Sequence, residues 1–153
     1  MRAPTPAATA PCTATSGQLA TFRLDGDLYG VEVEHVQEVL RSQGLTRVPL
    51  APAAVAGLIN LRGQVVTAIE LRERLGRPKR PEGTAAVVIV VRLHGEAVSL
   101  LVDSIADVVD VDAADFEAPP DTLEGQARDL IRGAYKLDGQ LLLALDVQKA
   151  VSA

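Results

Sequence analysis

The sequence predicts a mainly β protein built from two small barrels of about five short strands each. Three observations support this: the apolar, β-branched runs are short, glycine turns separate them, and the series of runs and turns occurs twice. Val-rich runs with frequent Gly favour strands over helices. Because so few strands cannot bury both faces of an open sheet, each half should form a closed or nearly closed barrel.

The stretch 57–75 shows this pattern most clearly. Two apolar runs, 58–61 and 65–69, flank a three-residue segment that contains Arg62 and a glycine, which is typical of a β-hairpin. The apolar spacing then changes to that of a short helix over 71–75. Because the strand pair is apolar on both faces, it should be covered on both sides. The cationic tip at Arg62 is then left for solvent or a partner.

The remaining elements follow from similar patterns. A tail without periodicity, 1–17, should be disordered. Val33, Val36 and Leu40 occur at helical spacing, which predicts a short amphipathic helix over 34–41. The other expected elements are strands at 19–24, 28–33, 46–48, 85–93, 96–102 and 108–111, a helical segment or turn at 103–107, a loop at 115–126, a hairpin of 130–137 with 140–145, and a helix at 146–151.

The two halves of the chain match each other after a shift. A shift of 69 residues places 33–39 on 102–108, and a shift of 76 places 68–71 on 144–147. We therefore expect one domain over 18–153, with closely packed barrel halves at about 18–80 and 83–153, joined by a Pro- and Gly-rich linker. A chance similarity of two β patterns is the alternative. Two barrels side by side leave a groove, where binding sites commonly form.

Composition excludes several classes of function. The net charge of −5 and the pI near 5.0, without a stripe of Lys and Arg, argue against nucleic acid binding. No apolar run approaches the roughly 18–20 residues of a membrane span. The single Cys12 cannot form an internal disulfide. A cytoplasmic protein without direct membrane insertion is therefore expected.

No group of residues has the spacing of a catalytic or metal site. His35 and His94 lack metal-ligand spacing to Cys, Asp or each other, and the serines lack a nucleophile elbow. We therefore expect no enzyme, no cofactor and no metal, but a binding scaffold. Arg62 is suited to interface contacts. It could equally bond backbone carbonyls between the barrels, and the two roles are compatible.

The run 57–72 resembles the motif of the CheW coupling-protein family of bacterial chemosensory systems. The likeness extends over about 18–151 and includes the stretches 28–30, 36–39, 47–49 and 102–108. One departure is Thr-Ala-Ile-Glu at 67–70, where the family often has Pro-Val-Ile-Asp; strand character and the acid are kept. The resemblance implies a CheW-like fold of two five-stranded SH3-like barrels with a few short helices.

The resemblance also implies a function: a non-enzymatic adaptor that couples the cytoplasmic tips of chemoreceptors (methyl-accepting chemotaxis proteins) to the regulatory domain of a CheA-like histidine kinase, in arrays that control motility. The protein would be cytoplasmic and recruited to membrane-associated arrays. By motif position, the receptor-binding groove would contain Val36, Glu38, Arg62, Ile105 and Val108. The kinase-binding residues would be Leu45, Val48 and Leu58.

The alternative is a general SH3-like protein-interaction module in a non-motility signalling pathway. Grooves that hold Pro-rich ligands are lined by aromatic side chains. This chain has two Tyr, two Phe and no Trp, which argues against that mode of binding.

Overall fold

A computed structural model describes residues 17–41, 45–46, 49–50, 55–78, 86–120 and 125–151 of the chain. In the first half the elements are β1 (Gly17–Leu24), β2 (Asp27–Glu32), β3 (Val36–Arg41), β4 (Leu45–Thr46), β5 (Val55–Leu61), β6 (Gln64–Glu70) and α1 (Leu71–Arg74). In the second half they are β7 (Val87–Leu93), β8 (Glu96–Val102), β9 (Ser104–Val111), β10 (Phe116–Glu117), α2 (Gly125–Leu130), β11 (Ile131–Leu137), β12 (Gln140–Leu145) and α3 (Val147–Val151). No helix in these ranges has the length and apolar character needed to cross a bilayer.

The strands form two sheets of six. Sheet I has the order β10-β11-β12-β2-β1-β9, and sheet II has the order β4-β5-β6-β8-β7-β3. Each sheet consists of five longer strands and a two-residue strand, β10 or β4. The mainly β prediction is therefore confirmed. Neither sheet closes fully into a barrel: within the described ranges, no ladder joins the two edge strands of either sheet.

Each sheet takes strands from both halves of the chain. The hairpin β1-β2 belongs to sheet I with β9–β12, and the hairpin β7-β8 belongs to sheet II with β3–β6. Parallel pairing joins each inserted hairpin to its sheet, β2 to β12 and β8 to β6. The two sheets therefore do not correspond to the contiguous halves 18–80 and 83–153. The first hairpin of each half completes the sheet of the other.

The topology supports the internal duplication. Replacing every strand of sheet I by its counterpart in the other half gives the strand order of sheet II. The two edge strands even share an irregularity. In β3 the register shifts between Val36 and Glu38, and in β9 it shifts opposite Ala20 and Phe22, at the counterpart position. Two unrelated β patterns would not share a strand order and a bulge.

Three apolar clusters fill the part of the molecule that the structure describes. A central cluster receives side chains from both sheets and all three helices. A second cluster lies within sheet I and a third within sheet II. Alternation along the strands divides the side chains between clusters: Ile89 and Val91 belong to the central cluster, whereas Val88 and Val90 belong to that of sheet II. Strand β7 is thus buried on both faces. In the β5–β6 pair, where the sequence predicted such burial, Ile69 belongs to the central cluster and Ile59 to that of sheet II, but Val65 is 61% exposed.

Two elements expected to be helical or turn-like are mostly strands. Residues 34–41, expected as a helix, begin in the 3₁₀ turn Val33–His35 and continue as β3, and 103–107, expected as a helical segment or turn, lead into β9. In β3 the partly buried positions alternate as Val36, Glu38 and Leu40, the period of a strand. Because a charged residue occupies the middle position, the remaining apolar residues matched a helical spacing.

Other expectations were closer to the structure. The hairpin and short helix of 57–75 are confirmed as β5, β6 and α1, with a two-residue turn. The expected loop at 115–126 contains β10 and the start of α2, and the closing helix is confirmed as α3. Of the expected tail, residues 1–16 lie outside the described residues, and Gly17 begins β1.

An ion pair connects the exchanged elements. The Arg72 guanidinium, on α1, donates to both carboxylate oxygens of Asp103, at 2.9 and 2.5 Å, and to the carbonyl oxygen of Pro78 at 2.9 Å. Asp103, between β8 and β9, also accepts from the backbone N–H of Asp25 at 2.9 Å. The Arg72 side chain is 9% exposed and that of Asp103 21%. The Arg72–Asp103 pair thus holds α1 and the β1–β2 turn of the first half against the β8–β9 connection of the second half.

We predict that Arg72→Ala lowers the free energy of unfolding by about 3 kcal/mol, because it leaves the shielded carboxylate of Asp103 without its cation. Urea denaturation of Arg72→Ala, Asp103→Ala and the double variant would measure the coupling energy. Lys136→Ala is the control, since Lys136 pairs with Glu117 at an exposed site and should matter little. Additive single-variant effects would contradict the prediction.

Gly133 lies on β11, beside the neighbouring strand β10. A Cβ there would lie 2.6 Å from the Glu117 carbonyl oxygen and closer still to the Phe116 ring. The backbone oxygen cannot rotate away, so Gly133→Ala should lower the free energy of unfolding by about 3 kcal/mol. Thermal unfolding would measure this. Gly139→Asn is the control, because its position is open and Asn tolerates a positive φ. Equal melting temperatures for the two variants would refute the prediction.

Burial raises the pKa of the Tyr29 phenol, although Arg77 donates a hydrogen bond to its oxygen at 3.0 Å and lowers it in part. A pKa raised on folding contributes stability that is complete below the unfolded value near 10 and is lost as the pH rises through the folded value. We therefore expect the free energy of unfolding to fall more steeply above pH 10 in the wild type than in Tyr29→Phe. Denaturation from pH 8 to 11.5 would test this, and parallel curves would argue against it.

Candidate functional site

Arg62 lies at the tip of the β5–β6 hairpin. Arg62 and Gly63 both have positive φ, 53° and 84°, the arrangement of a type I′ turn that matches the twist of the paired strands. The Gly63 N–H donates to the side-chain oxygen of Asn60 at 3.0 Å, which fixes the turn. The Arg62 side chain is 81% exposed. The hairpin therefore presents a guanidinium on a rigid backbone.

Glu38 holds that guanidinium. Its carboxylate, on β3, lies 3.0 Å from the terminal nitrogen of Arg62, and its side chain is only 17% exposed. A pair with one exposed partner contributes at most about 1 kcal/mol to stability, so its main effect is orientation. The structural contact of Arg62 in the described residues is thus a carboxylate of the same sheet rather than backbone carbonyls between the barrels. Its role at an interface stays a prediction.

Two further residues extend this site, and the sequence analysis missed both. Gln37, at the bulge of β3, accepts a hydrogen bond from Arg92 at 2.8 Å. Arg92 also donates to the carbonyl oxygen of Gly95 at 2.9 Å, so its own side chain is fixed. The repeat alignment, which places Arg92 opposite Arg23, carried no indication of this contact, because Gln37 has Ala106 as its counterpart.

A small cavity opens beside the Arg62–Glu38 pair. Its volume is about 70 Å³. The polar residues that line it are Gln37, Glu38, Arg62 and Gln64, and the apolar residues are Leu61, Val66, Val90 and Ala97. Val90 belongs to the buried cluster of sheet II, and Leu61 and Ala97 pack against that cluster. Val66 is also buried. An apolar floor with a polar rim is the composition of a binding hot spot.

The other expected receptor-binding residues occupy two separate places. Val36 is partly buried against the central cluster, near Glu38 on β3. Ile105 and Val108 are 43% and 55% exposed on β9, the edge strand of sheet I. The structure therefore joins Glu38 to Arg62 directly, whereas Ile105 and Val108 lie at the counterpart edge of the other sheet.

The expected kinase-binding residues are only partly described. Leu58 is partly buried on β5, where it pairs with Thr46 and Thr67. Leu45 is paired with Ile59 through β4, but its side chain is outside the described set, as is the whole of Val48.

Neither histidine forms part of a catalytic arrangement in the described residues. His94 lies in a hairpin turn with a φ of 50°. His35 contacts Glu32 at 3.1 Å, and with Glu34 these residues place three potential metal ligands within 4.8 Å of one another. Glu34 is exposed and the His35 side chain is 30% exposed, so the group lies at the surface beside the start of β3.

Comparisons with known proteins agree with the fold. The model of the CheW-like domain matches residues 18–153. A "Chemotaxis protein CheW" of Treponema pallidum is 29% identical over 140 residues, covering 89% of this chain and 82% of the relative. A "Chemotaxis protein CheW" of Rhizobium meliloti is 30% identical over 130 residues, covering 85% and 84%.

A solved structure is similar as well. The crystal structure of the scaffolding protein TtCheW from Thermoanaerobacter tengcongensis aligns with a TM-score of 0.75 at 28% identity, covering 86% of this chain and 89% of the other. The family match spans both sheets and the Arg62–Glu38 site, and the structural match covers most of the same chain. This chain therefore belongs to the CheW-like domain family.

Proposed function

We propose that this protein is a non-enzymatic, cytoplasmic adaptor that couples chemoreceptors to a CheA-like histidine kinase in membrane-associated arrays controlling motility. The observation that carries the proposal is the exposed Arg62 guanidinium, oriented by Glu38 at the mouth of an apolar cavity. A guanidinium paired with a carboxylate beside an apolar cavity is suited to recognising a protein surface.

The receptor tip, a helical hairpin, would bind as an amphipathic helix in a groove. Exposed aliphatic side chains are available for its apolar face: Val39 on β3, Val65 on β6, and Ile105 and Val108 on β9. Arg62 would donate hydrogen bonds to a carboxylate or carbonyl group on the helix flank, and its fork geometry would fix the register of the helix. The receptor site proposed from Val36, Glu38, Arg62, Ile105 and Val108 would thus use the edges of both sheets.

Coupling needs no chemical step in this protein. If the receptor tip binds more tightly in one signalling state than in the other, the difference in affinity biases the state of the kinase held by the same adaptor. The kinase regulatory domain would contact the region of Leu45, Val48 and Leu58. A rigid scaffold suits this role, because a flexible one would absorb the difference.

The test is calorimetric titration of the purified protein with the receptor-tip fragments and the kinase regulatory domain encoded in its own genome. We expect Arg62→Ala to weaken receptor binding by about tenfold, because an exposed anchor at a desolvated contact is lost. Arg62→Asp should weaken it further through charge reversal. Kinase binding and the free energy of unfolding should stay within error of the wild type.

Lys136→Ala is the matched control, since it removes an exposed cation from sheet I that is paired with Glu117. Failure of the wild type to bind either fragment would refute the adaptor proposal. If both Arg62 variants bind the receptor tip with the affinity of the wild type, the proposed site is refuted, while the adaptor role is not.

A further inference from the structure

The cavity beside Arg62 lies where sheet II carries smaller side chains than the counterpart positions of sheet I. Under the two shifts, Ala97 corresponds to Leu28 and Val66 corresponds to Leu142. The registers agree, since Ala97 pairs with Arg92 on β7 and Leu28 pairs with Arg23 on β1. A methyl group in sheet II therefore occupies the place of an isobutyl group in sheet I.

The counterpart residues in sheet I are packed in its own apolar cluster. Leu28 is 5% exposed and Leu142 is fully buried, both beside Tyr135. In sheet II the corresponding position of Tyr135 is held by the smaller Ile59. The volume that these side chains occupy in sheet I is thus missing from sheet II, next to the mouth of the 70 Å³ cavity.

We propose that this cavity receives one aliphatic side chain, of the size of Leu, Ile or Val, from the receptor-tip helix. The inference rests on the proposed adaptor function and names the contact by which the helix is anchored. A void lined by Val66, Val90 and Ala97 lacks dispersion contacts on its open side, and an aliphatic group entering it restores them. The partner side chain takes the place that Leu28 holds in the other sheet.

The charges at the rim indicate what flanks this side chain. Arg62 lines the cavity and pairs with Glu38, and Arg92, outside the lining, donates to the rim residue Gln37. Two guanidinium groups thus lie near the single carboxylate among the lining residues, on a chain whose net charge is −5. Arg62 is mostly exposed, so most of its donors remain open to a ligand. An acidic residue beside the inserted aliphatic group therefore complements the rim, whereas a basic one is repelled.

The test fills the cavity from within. Ala97→Leu installs the residue that the counterpart strand already carries in the same register, and it leaves Arg62 and Glu38 in place. We expect receptor-tip binding to weaken at least tenfold in titration calorimetry, with kinase binding unchanged and a melting temperature equal to or above that of the wild type. If the Ala97→Leu variant folds but binds the receptor tip more weakly than the wild type, the proposal is supported.

Ala114→Leu is the matched control, because it makes the same change at an exposed position after β9. It should bind the receptor tip as the wild type does. A folded Ala97→Leu variant with wild-type receptor affinity, while Arg62→Ala remains weakened, overturns the cavity proposal alone. Absence of receptor binding by the wild type overturns the adaptor function, and the cavity proposal with it.

A second measurement does not depend on any variant. In the wild-type complex with a methyl-labelled receptor tip, the Ala97 methyl should show intermolecular NOEs to a Leu, Ile or Val methyl group. If Ala97→Leu does not fold, these NOEs and the milder Val66→Leu variant decide the question. A complex in which the receptor tip contacts Arg62 but shows no NOE to Ala97 or Val66 would refute the insertion.

Discussion

Neither half of this chain can complete its own sheet, and the rest of the structure follows from that constraint. The parallel ladders β2–β12 and β6–β8 join strands that are far apart in sequence, such as Leu28 with Leu142. Each half must therefore be present before either sheet is whole. The bidentate contact of Arg72 with Asp103 lies where α1 of the first half meets the β8–β9 connection of the second. The central cluster, shared by both sheets, is buried only when both exchanges have occurred.

The exchange also determines where the site can lie. The cavity is bounded on one side by β3 and the β5–β6 hairpin of the first half, and on the other by β7 and β8 of the second. Arg92 reaches Gln37 only because the second-half hairpin has been inserted beside β3. A binding surface made from both halves is consequently as rigid as the fold itself.

Local pattern was sufficient to predict the hairpins, and it failed where side chains serve a site or a distant strand. The β5–β6 unit could be recognised from its apolar runs and the glycine turn. Strand β3 could not, because a partly buried position of its regular alternation is occupied by the charged Glu38, which pairs with Arg62. Local conflicts of this kind are expected at functional positions. The exchange of hairpins left no local trace, since parallel pairing over such separations has no sequence period.

The site itself was predictable only in part. The motif assigned Arg62 and Glu38 to one receptor-binding groove, and the structure shows a direct ion pair between them. Receptor binding by these residues stays a prediction. The cavity behind them depends on Ala97, a residue that looks unremarkable in sequence. Its meaning emerges only from comparison with Leu28 in the counterpart strand.

The exchanged hairpins bear on the history of the fold. A half-length chain would face the same constraint, and two copies could satisfy it by swapping their first hairpins, which would reproduce both sheets. Fusing the subunits of such a dimer through the segment between α1 and β7 would give the strand order of the present protein. A fused chain also lets the two copies differ. The counterpart positions 28 and 97 carry leucine and alanine, an asymmetry that an identical pair of subunits could never acquire.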